Sequence, residues 1–233
     1  MFKLQIKYLS FFFGIISILS FFNILYSYYF NLYLNLDTYY FTLVTSLILF
    51  IVLFKFGKYD FKSNIFEKIL TIFLGYLLIP LVLSIPFYFS IYNLTFSNSF
   101  FEAISGFTST GFTVFDNIKL VDQSLIIWRS STQWIGGLYF LFSIIYLIDI
   151  YDDSFKKTLT NYISFNSSEI LKQAAKIFIL YTSLTILIFI ILNIFSIRIF
   201  DSLNLALTII SSGGFLPVNE LSMIIKENVQ III

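Results

Sequence analysis

Two short stretches of the sequence combine small hydroxyl residues with glycine, and each follows about ten mostly apolar residues. They are Thr108–Gly111 and Ile210–Gly214. Glycine lets the backbone adopt angles that turn successive carbonyl oxygens toward one axis. Rings of such carbonyls replace the hydration shell of a potassium-sized ion. The chemistry that these residues support is therefore the coordination of a dehydrated cation, and it requires no ring of carboxylates.

Both stretches belong to an internal repeat, in which segment 98–113 matches segment 201–216 at a shift of 103 positions. Each segment begins with helix N-cap residues, so we expect one short helix to start at Asn98–Ser99 and another at Asp201–Ser202. A helix of about ten residues is too short to cross a membrane. Each segment is therefore predicted to be a re-entrant helix followed by an extended stretch. The matched pairs are Asn98 with Asp201, Ser99 with Ser202, Ala103 with Ala206, Ser105 with Thr208, Ser109 with Ser212, and Gly111 with Gly214.

The composition excludes several classes of protein. The 233 residues are 58% hydrophobic and 12% charged, whereas soluble domains carry about 25% charged residues. Without any Cys or His, the chain has no thiol nucleophile, no Ser-His-Asp triad and no thiolate or imidazole metal ligand. A net charge of +1 gives no attraction to nucleic acid. We therefore expect an integral membrane protein that is not an enzyme, needs no cofactor and binds no nucleic acid.

Five apolar runs come close to the roughly 20 residues that cross a hydrocarbon core. The third contains two prolines, Pro80 and Pro86, which membrane helices tolerate and which are expected to kink it. We predict an all-α integral membrane fold with two leading transmembrane helices and then helix–pore-loop–helix repeats, one complete and one truncated. The runs cover 9–30, 39–54, 65–89, 125–148 and 174–195. The predicted parts are the leading helices at 1–60, the first repeat at 61–150, a cytoplasmic connection at 151–172 and the second repeat at 173–233.

The distribution of basic residues orients these five runs. With the N-terminus in the cytoplasm, ten of the 14 Lys and Arg residues lie in cytoplasmic segments, as the positive-inside rule requires. The remaining ones are Lys119, Arg129, Arg198 and Lys226. The sequence therefore predicts a multi-pass protein of the cell inner (plasma) membrane, with its N-terminus cytoplasmic and both glycine-containing stretches on the outer side.

In this orientation each short helix enters from outside, so its C-terminal end faces the membrane interior. That end carries a partial negative charge, which stabilises a cation. The alternative is that the small residues only allow helices to pack closely, and a single such stretch favours this alternative. Two stretches in register, on the same side and each after a spanning helix, favour a pore.

Two charged residues lie close to the first stretch. Glu102 is inside the short helix, where an ionisable group is costly and indicates a role, and we expect it to brace the extended stretch through backbone donors. Arg129, at the outer end of the fourth run, is expected either to pair with Glu102 or to extend to the membrane interface. Trp128 and Trp134 are expected to be interfacial anchors.

Three motifs resemble those of the Trk/Ktr/HKT superfamily of potassium transporters. The stretch 101–111 (FEAISGFTSTG) is similar to the first pore loop of that family, 128–137 (WRSSTQWIGG) to the start of the following helix, and 209–215 (IISSGGF) to the second pore loop. Two helices ahead of the first repeat resemble the TrkH branch. The resemblance extends over essentially the whole chain, in the right order.

The resemblance implies a selectivity filter that binds K⁺ and no other metal site. Family members carry four repeats around one pore, each with one filter strand, and a glycine at the first filter position accompanies potassium preference. Gly111 therefore favours potassium over sodium. Gly214 is its partner in the repeat register, and Gly213 takes that place if the second loop slips by one residue. The implied filter residues are Thr108, Ser109, Thr110, Gly111, Ile210, Ser211, Ser212, Gly213 and Gly214, with Glu102 and Arg129 as supports.

The sequence departs from the family in two places. Tyr139 replaces the last glycine of a Gly-Gly-x-Gly stretch, and the chain ends at Ile233 with two pore loops. Two loops do not enclose an ion, so a complementary chain with the other half, or a second copy, is needed to close a pore. The alternative is a non-conducting membrane fragment or scaffold. The resemblance also implies a cytoplasmic nucleotide-binding regulatory subunit, and membrane lipid surrounds the helices.

Overall fold

The computed structural model describes residues 7–57, 65–147 and 170–225, and every regular element within these ranges is a helix. The all-α fold expected from the sequence is therefore confirmed. Two single 3₁₀ turns lie at Ile118–Leu120 and Leu221–Met223. The α-helices are α1 (Lys7–Tyr29), α2 (Leu36–Phe56), α3 (Ile65–Leu83), α4 (Ile85–Tyr88), α5 (Phe96–Phe107), α6 (Gln123–Leu147), α7 (Ile170–Ile194) and α8 (Ile199–Ile210). The predicted connection at 151–172 lies almost entirely outside the described residues.

Within the described ranges, four stretches of helix are long and apolar enough to cross a membrane, namely Lys7–Tyr29, Leu36–Phe56, Ile65–Tyr88 and Ala175–Ile194. Helix α6, the fourth span predicted from the sequence, has 25 residues but is more polar and does not belong to this group. It packs against α1, α3, α5, α7 and α8, and most of its residues are buried. Because protein surrounds it, α6 can carry polar side chains that a lipid-facing helix could not.

The third predicted span is interrupted near its outer end. Helix α3 contains Pro80 and ends at Leu83, and the single turn α4 follows with Pro86 at its start. Proline has no N–H for the helical hydrogen bond, and its ring collides with the preceding turn. The regular helix is interrupted at Ser84, but the backbone of this residue stays helical and its N–H donates to the carbonyl oxygen of Pro80 at 2.8 Å, so α3 and α4 continue as one span.

Both tryptophans are in the core, so the prediction that they anchor the chain at the membrane interface is wrong. Trp128 is fully buried, and its Nε1 donates to the carbonyl oxygen of Leu83 at 3.0 Å. Trp134 is also buried, and its Nε1 donates to Thr185 Oγ1 at 2.9 Å. A Trp N–H needs a partner wherever it is buried, and here other helices supply one.

The leading helices α1 and α2 form a hairpin that is fastened to the start of α6. Asn23 Nδ2 donates to the carbonyl oxygen of Ser124 at 3.0 Å, and the Tyr39 hydroxyl lies 2.9 Å from Ser124 Oγ. Asn35 Nδ2 donates to Asp122 Oδ2 at 3.1 Å. Asp122 immediately precedes α6 and Ser124 lies in its first turn, so the hairpin holds the start of α6 in place.

Tyr139, which replaces a glycine of the family motif, occupies a space between α3 and α1. It is fully buried, its hydroxyl donates to the carbonyl oxygen of Ile72 at 2.9 Å, and its ring lies 4.8 Å from that of Phe12. A methyl group added at Gly75 would overlap the Tyr139 hydroxyl. Gly75 on α3 thus leaves the space that the large side chain of Tyr139 needs, at a position of α6 where the family motif has a glycine.

We expect Gly75→Ala to lower the free energy of unfolding by about 1–3 kcal/mol, because it overpacks the space filled by Tyr139. The same substitution in a Tyr139→Gly background should cost less, because the obstructing side chain is gone. Thermal unfolding in detergent measures this coupling as a double-mutant cycle. Gly14→Ala is the control, since its added carbon meets only the Phe50 ring, at 3.3 Å. Equal losses in both backgrounds would contradict the proposed compensation.

Candidate functional site

The first glycine-containing stretch follows α5, which begins earlier than predicted. Its N-cap is Thr95, whose hydroxyl oxygen accepts the N–H of Asn98, so the expected cap at Asn98–Ser99 is wrong. At the other end Ser109 has a left-handed φ of 56°, and the N–H of Thr110 donates to the carbonyl oxygen of Ser105 at 2.9 Å. This is the Schellman ending, in which a left-handed residue terminates the helix.

The second stretch ends its helix in the same way. Ser212 has a φ of 53°, and the N–H of Gly213 donates to the carbonyl oxygen of Thr208 at 2.8 Å. Ser212 and Thr208 are the repeat partners of Ser109 and Ser105, so the backbone ends both helices in the register of 103 found in the sequence. The start differs, because α8 begins at Ile199 and Asp201 lies in its first turn, not at its N-cap. Asp201 instead pairs with Arg198 at 3.0 Å.

The two stretches meet at their glycines. Gly111 has a left-handed φ of 81°, and a Cβ added to it would lie 2.6 Å from Cα of Gly214. The backbones are therefore in contact, and no ion can pass between them. On the surface of the described structure, Thr108, Thr110, Ser212 and Gly214 are exposed, Ser109, Gly111, Ile210 and Gly213 are half-buried, and Ser211 is buried.

Glu102 and Arg129 form a buried ion pair behind the first stretch. Arg129 Nε lies 2.7 Å from Glu102 Oε1, and both side chains are shielded from solvent. The carboxylate also accepts the Val114 N–H at 2.9 Å and the Thr113 hydroxyl at 3.0 Å. Glu102 thus holds the backbone that follows Gly111, and Arg129 does not extend to the interface.

Arg129 also contacts the segment that follows the second stretch. Its guanidinium carbon lies 4.2 Å from the centre of the Phe215 ring, and Nη1 donates to the carbonyl oxygen of Leu216 at 3.4 Å. A guanidinium over an aromatic face is attracted by the ring quadrupole, and more strongly where water is excluded. One cation therefore connects the segments that follow Gly111 and Gly214.

Gln133 holds the second stretch from the same helix, α6. Only one orientation of its amide matches donors to acceptors. In it the oxygen accepts the N–H groups of Gly214 at 2.9 Å and Phe215 at 3.0 Å, and the nitrogen donates to Thr208 Oγ1 at 3.1 Å. Gln133 is fully buried. Its side chain satisfies two backbone donors that have no partner of their own in an extended stretch.

We expect Gln133→Leu to lower the free energy of unfolding by about 1–3 kcal/mol for each donor left without a partner. The amide protons of Gly214 and Phe215 should also exchange with deuterium faster. Hydrogen exchange by mass spectrometry and thermal unfolding measure the two effects. Gln123→Leu, at the start of the same helix, is the control: it removes only an exposed acceptor of the Tyr26 hydroxyl, so it should leave the exchange of both protons unchanged and lower the stability much less. Unchanged exchange in Gln133→Leu would show that another group holds these donors.

Helix α6 approaches both short helices closely. A side chain at Gly136 would overlap the carbonyl oxygen of Phe107, the last residue of α5, and one at Gly106 would overlap Thr132 Oγ1. On the neighbouring face, Ser130 Oγ donates to Asn204 Oδ1 of α8 at 2.7 Å. Because α6 contacts α5 on one face and α8 on another, it sets the spacing of the two glycine-containing stretches.

Hydrogen bonds also join the segments that follow the two stretches, a few residues beyond the glycines. Asn219 Oδ1 accepts the Ile118 N–H at 2.8 Å, and Asn219 Nδ2 donates to Asn117 Oδ1 at 3.1 Å.

Among the described residues no group of three or more acidic side chains could hold a metal ion. The two glycine-containing stretches stay the ion site that the sequence predicts.

Sequence reasoning missed Gln133, Ser130 and Asn204, although the first two lie in the stretch that resembles the family. The signal was available, because polar side chains inside a membrane helix are rare and mark functional or packing contacts. The sequence does not show which residue each of these side chains contacts. Gln133 lies more than 80 positions from Phe215, and no spacing rule relates them.

Comparisons with known proteins give a consistent result. A family model described as the cation transport protein TrkH matches residues 77–219. An uncharacterized cation transporter of Methanocaldococcus jannaschii is 27% identical over 175 residues, covering 68% of this chain and 35% of the relative. The Trk system potassium uptake protein TrkH of Salmonella typhimurium is 26% identical over 165 residues, covering 68% of this chain and 34% of the relative. The chain therefore spans about a third of the length of these relatives.

A solved structure has the same fold. The potassium transporter TrkH from Vibrio parahaemolyticus superposes with a TM-score of 0.72, over 93% of this chain and 44% of that one, at 18% sequence identity. The relatives named by these comparisons are transporters or uptake proteins, not enzymes.

Proposed function

The chain belongs to the TrkH family of cation transport proteins, and from this premise we propose that it takes part in transmembrane potassium uptake. It contributes two of the strands that line the ion path, Thr108–Gly111 and Ile210–Gly214, and their backbone carbonyls replace the water around the ion. K⁺ is the substrate of this path, and the proposal requires no cofactor.

The observation that carries the proposal is the matched pair of helix endings. Helices α5 and α8 both end in a left-handed serine two residues before a glycine, and the two glycines are in backbone contact. Two helix C-termini thus converge on one point, and the partial negative charge of each favours a cation there. The buried side chains of Glu102, Arg129 and Gln133 support the strands and do not coordinate the ion.

Closure of the ion path needs further strands on the exposed face of Thr108, Thr110, Ser212 and Gly214. The part of the relatives' length that this chain does not span supplies them, or a second copy of this chain does so. Gly111, at the first filter position, selects potassium over sodium. A cytoplasmic nucleotide-binding subunit regulates uptake in this proposal.

The orientation that we propose places the N-terminus in the cytoplasm of a cell whose inner membrane holds the protein. It is supported by lysines at one end of the bundle: Lys7 lies 4.7 Å from the Phe54 ring, and Lys68 lies 5.4 Å from the Tyr146 ring.

The labelling of single introduced cysteines tests this orientation. Because the chain has no Cys of its own, a thiol reagent reacts only with the introduced residue and shows on which side of the membrane that residue lies. A membrane-impermeant maleimide added to whole cells should label Tyr33→Cys and not Lys55→Cys, and the reverse result would overturn the orientation.

Potassium-limited growth of an uptake-deficient bacterium tests the function. The chain is expressed alone and together with the reading frame that follows its gene, and rubidium uptake is measured in parallel. Rescue that needs both and is lost with Gly111→Asp supports a pore completed by a second chain. Rescue by the chain alone supports a pore completed by a second copy. Absence of rescue, with the protein present in the membrane, would favour the non-conducting scaffold.

A further inference from the structure

Ser105, near the end of α5, holds the first glycine-containing stretch through both its backbone and its side chain. Its carbonyl oxygen accepts the N–H of Thr110 at 2.9 Å and that of Gly111 at 3.4 Å. Its hydroxyl donates to the carbonyl oxygen of Phe112 at 2.6 Å. Ser105 is buried, and it thus fixes three consecutive residues of the backbone around the glycine.

These bonds determine the direction of the carbonyl groups in the stretch. In a trans peptide the N–H and the C=O of one unit point in opposite directions, and no peptide bond between described residues is cis. The N–H groups of Thr110 and Gly111 point toward Ser105. The carbonyl groups in the same peptide units, those of Ser109 and Thr110, therefore point away from it. The carbonyl of Phe112 has the opposite direction, because it accepts the Ser105 hydroxyl.

In the second stretch, two residues hold the backbone. The carbonyl of Thr208 accepts the N–H of Gly213, and the amide oxygen of Gln133 accepts the next two N–H groups. The three carbonyls at 212–214 therefore point away from Thr208 and Gln133. The hydroxyl of Thr208, the repeat partner of Ser105, accepts the Gln133 amide at 3.1 Å. Of these two partners, Ser105 is the one whose hydroxyl donates to a carbonyl of the stretch beside it.

The helix that carries Ser105 is itself fixed. A side chain at Gly106 would overlap Thr132 Oγ1 of α6, and Glu102, one turn before Ser105, pairs with Arg129 of the same helix α6. Because α5 has no room to shift, the Ser105 hydroxyl has a defined position relative to the backbone that it holds.

We propose that Ser105 is a positioning residue of the ion path, whose hydroxyl turns the Phe112 carbonyl away from the ion. The row of ion-facing carbonyls on the first stretch then ends before Phe112. This inference rests on the proposed function, because it concerns the groups that the ion meets. Without the hydroxyl, the Phe112 carbonyl loses the partner that sets its direction. Since the number and placement of carbonyls decide which dehydrated ion is bound, both the affinity and the selectivity of uptake change.

Rubidium uptake by Ser105→Ala tests this role, in cells that the wild-type chain rescues alone or with the reading frame that follows its gene. The rubidium concentration for half-maximal uptake should rise about three- to tenfold, as for the loss of one hydrogen bond, and sodium should inhibit more strongly. Ser105→Thr keeps a hydroxyl, and threonine is the residue at the equivalent position 208, so this variant should restore both values. A Ser105→Ala protein with wild-type half-saturation and sodium inhibition would overturn the proposal.

Ser99→Ala is the matched control for this substitution. It removes a buried hydroxyl from the same helix, but that hydroxyl donates to the carbonyl oxygen of Thr95 within the first turn. We therefore expect wild-type half-saturation and sodium inhibition in Ser99→Ala. An equal change in both variants would mean that the loss of any buried hydroxyl from α5 disturbs uptake, and it would contradict a specific role of Ser105.

Hydrogen exchange by mass spectrometry distinguishes this inference from the proposed function, because it requires no transport. In the purified protein, the amide protons of 110–114 should exchange at least about threefold faster in Ser105→Ala than in the wild type, and not in Ser99→Ala. Unchanged exchange would show that the hydroxyl does not hold the stretch. Faster exchange with unchanged half-saturation and selectivity would reduce Ser105 to a structural residue. If the wild-type protein takes up no rubidium, the proposed function fails and the ion role of Ser105 fails with it, while faster exchange would still show that Ser105 holds the stretch.

Discussion

Replacement of Gly111 by alanine is expected to abolish potassium uptake by the complete transporter while the protein still reaches the membrane. Two effects combine at this position. A φ of 81° is costly for a residue with a side chain, by about 1–2 kcal/mol. The added carbon would also lie 2.6 Å from Cα and 3.0 Å from N and C of Gly214, which are backbone atoms that no rotamer change can move away.

Gly214→Ala is the matched control for this prediction. It stands at the equivalent repeat position but has an ordinary φ, and its added carbon would lie 3.1 Å from Cα of Gly111 and 3.6 Å from the carbonyl oxygen of Thr110. We therefore expect it to reduce rubidium uptake less than Gly111→Ala does. Similar uptake in both variants would contradict the assignment of the tighter, strained position to Gly111.

Gly111→Ser extends the same experiment to selectivity. The family resemblance implies that serine at this position accompanies sodium permeation, so any uptake that remains should shift from potassium toward sodium. Competition of sodium against rubidium uptake measures this shift. An unchanged preference would place the selecting residue elsewhere on the two strands.

The helices were predictable from the sequence because their signals are local. Apolar runs gave the spans to within a few residues, and the shift of 103 positions anticipated two helices that end alike. That similarity is local too, since Ser109 and Ser212 terminate their helices through bonds to residues only a few positions away. The helix starts were less accurate, because Asn98–Ser99 is as good a cap signal in the sequence as Thr95, the residue that caps α5.

The contacts that hold the candidate site were less predictable, because they join residues far apart in the sequence. Glu102 was expected to brace the extended stretch, but only the structure distinguished an ion pair with Arg129 from extension of Arg129 to the interface. Trp128 and Trp134 illustrate the same difficulty. Tryptophans near the end of an apolar run favour the interface on statistics alone, yet Leu83 and Thr185, on other helices, accept their N–H groups in the core.

The second large effect is expected at the ion pair of Glu102 and Arg129. Glu102→Gln leaves a buried guanidinium without its countercharge, and such a change typically costs about 3–5 kcal/mol. Arg129→Gln leaves the carboxylate with only the Val114 N–H and the Thr113 hydroxyl, and it also removes the cation that lies over Phe215. Each single variant should therefore show a large decrease in thermal stability and a loss of uptake.

The pair Arg198–Asp201 provides a control of the same chemistry in the other repeat. Its Arg side chain is 62% exposed, and exposed pairs contribute about 0.2–1 kcal/mol. Asp201→Asn should therefore reduce the unfolding temperature only slightly, and added salt should make the difference smaller still. A large loss in this variant would contradict the expectation that burial decides the effect.

The double variant Glu102→Gln with Arg129→Gln distinguishes stability from function. Because it leaves no unpaired charge, we expect it to recover a substantial part of the stability lost by either single variant. Uptake should not recover, since two neutral amides restore neither the contact with Phe215 nor a charged acceptor for the segment after Gly111. Recovery of both stability and uptake would mean that the pair only fills space, and that Gln133 and the glycine contact are sufficient to hold the two strands.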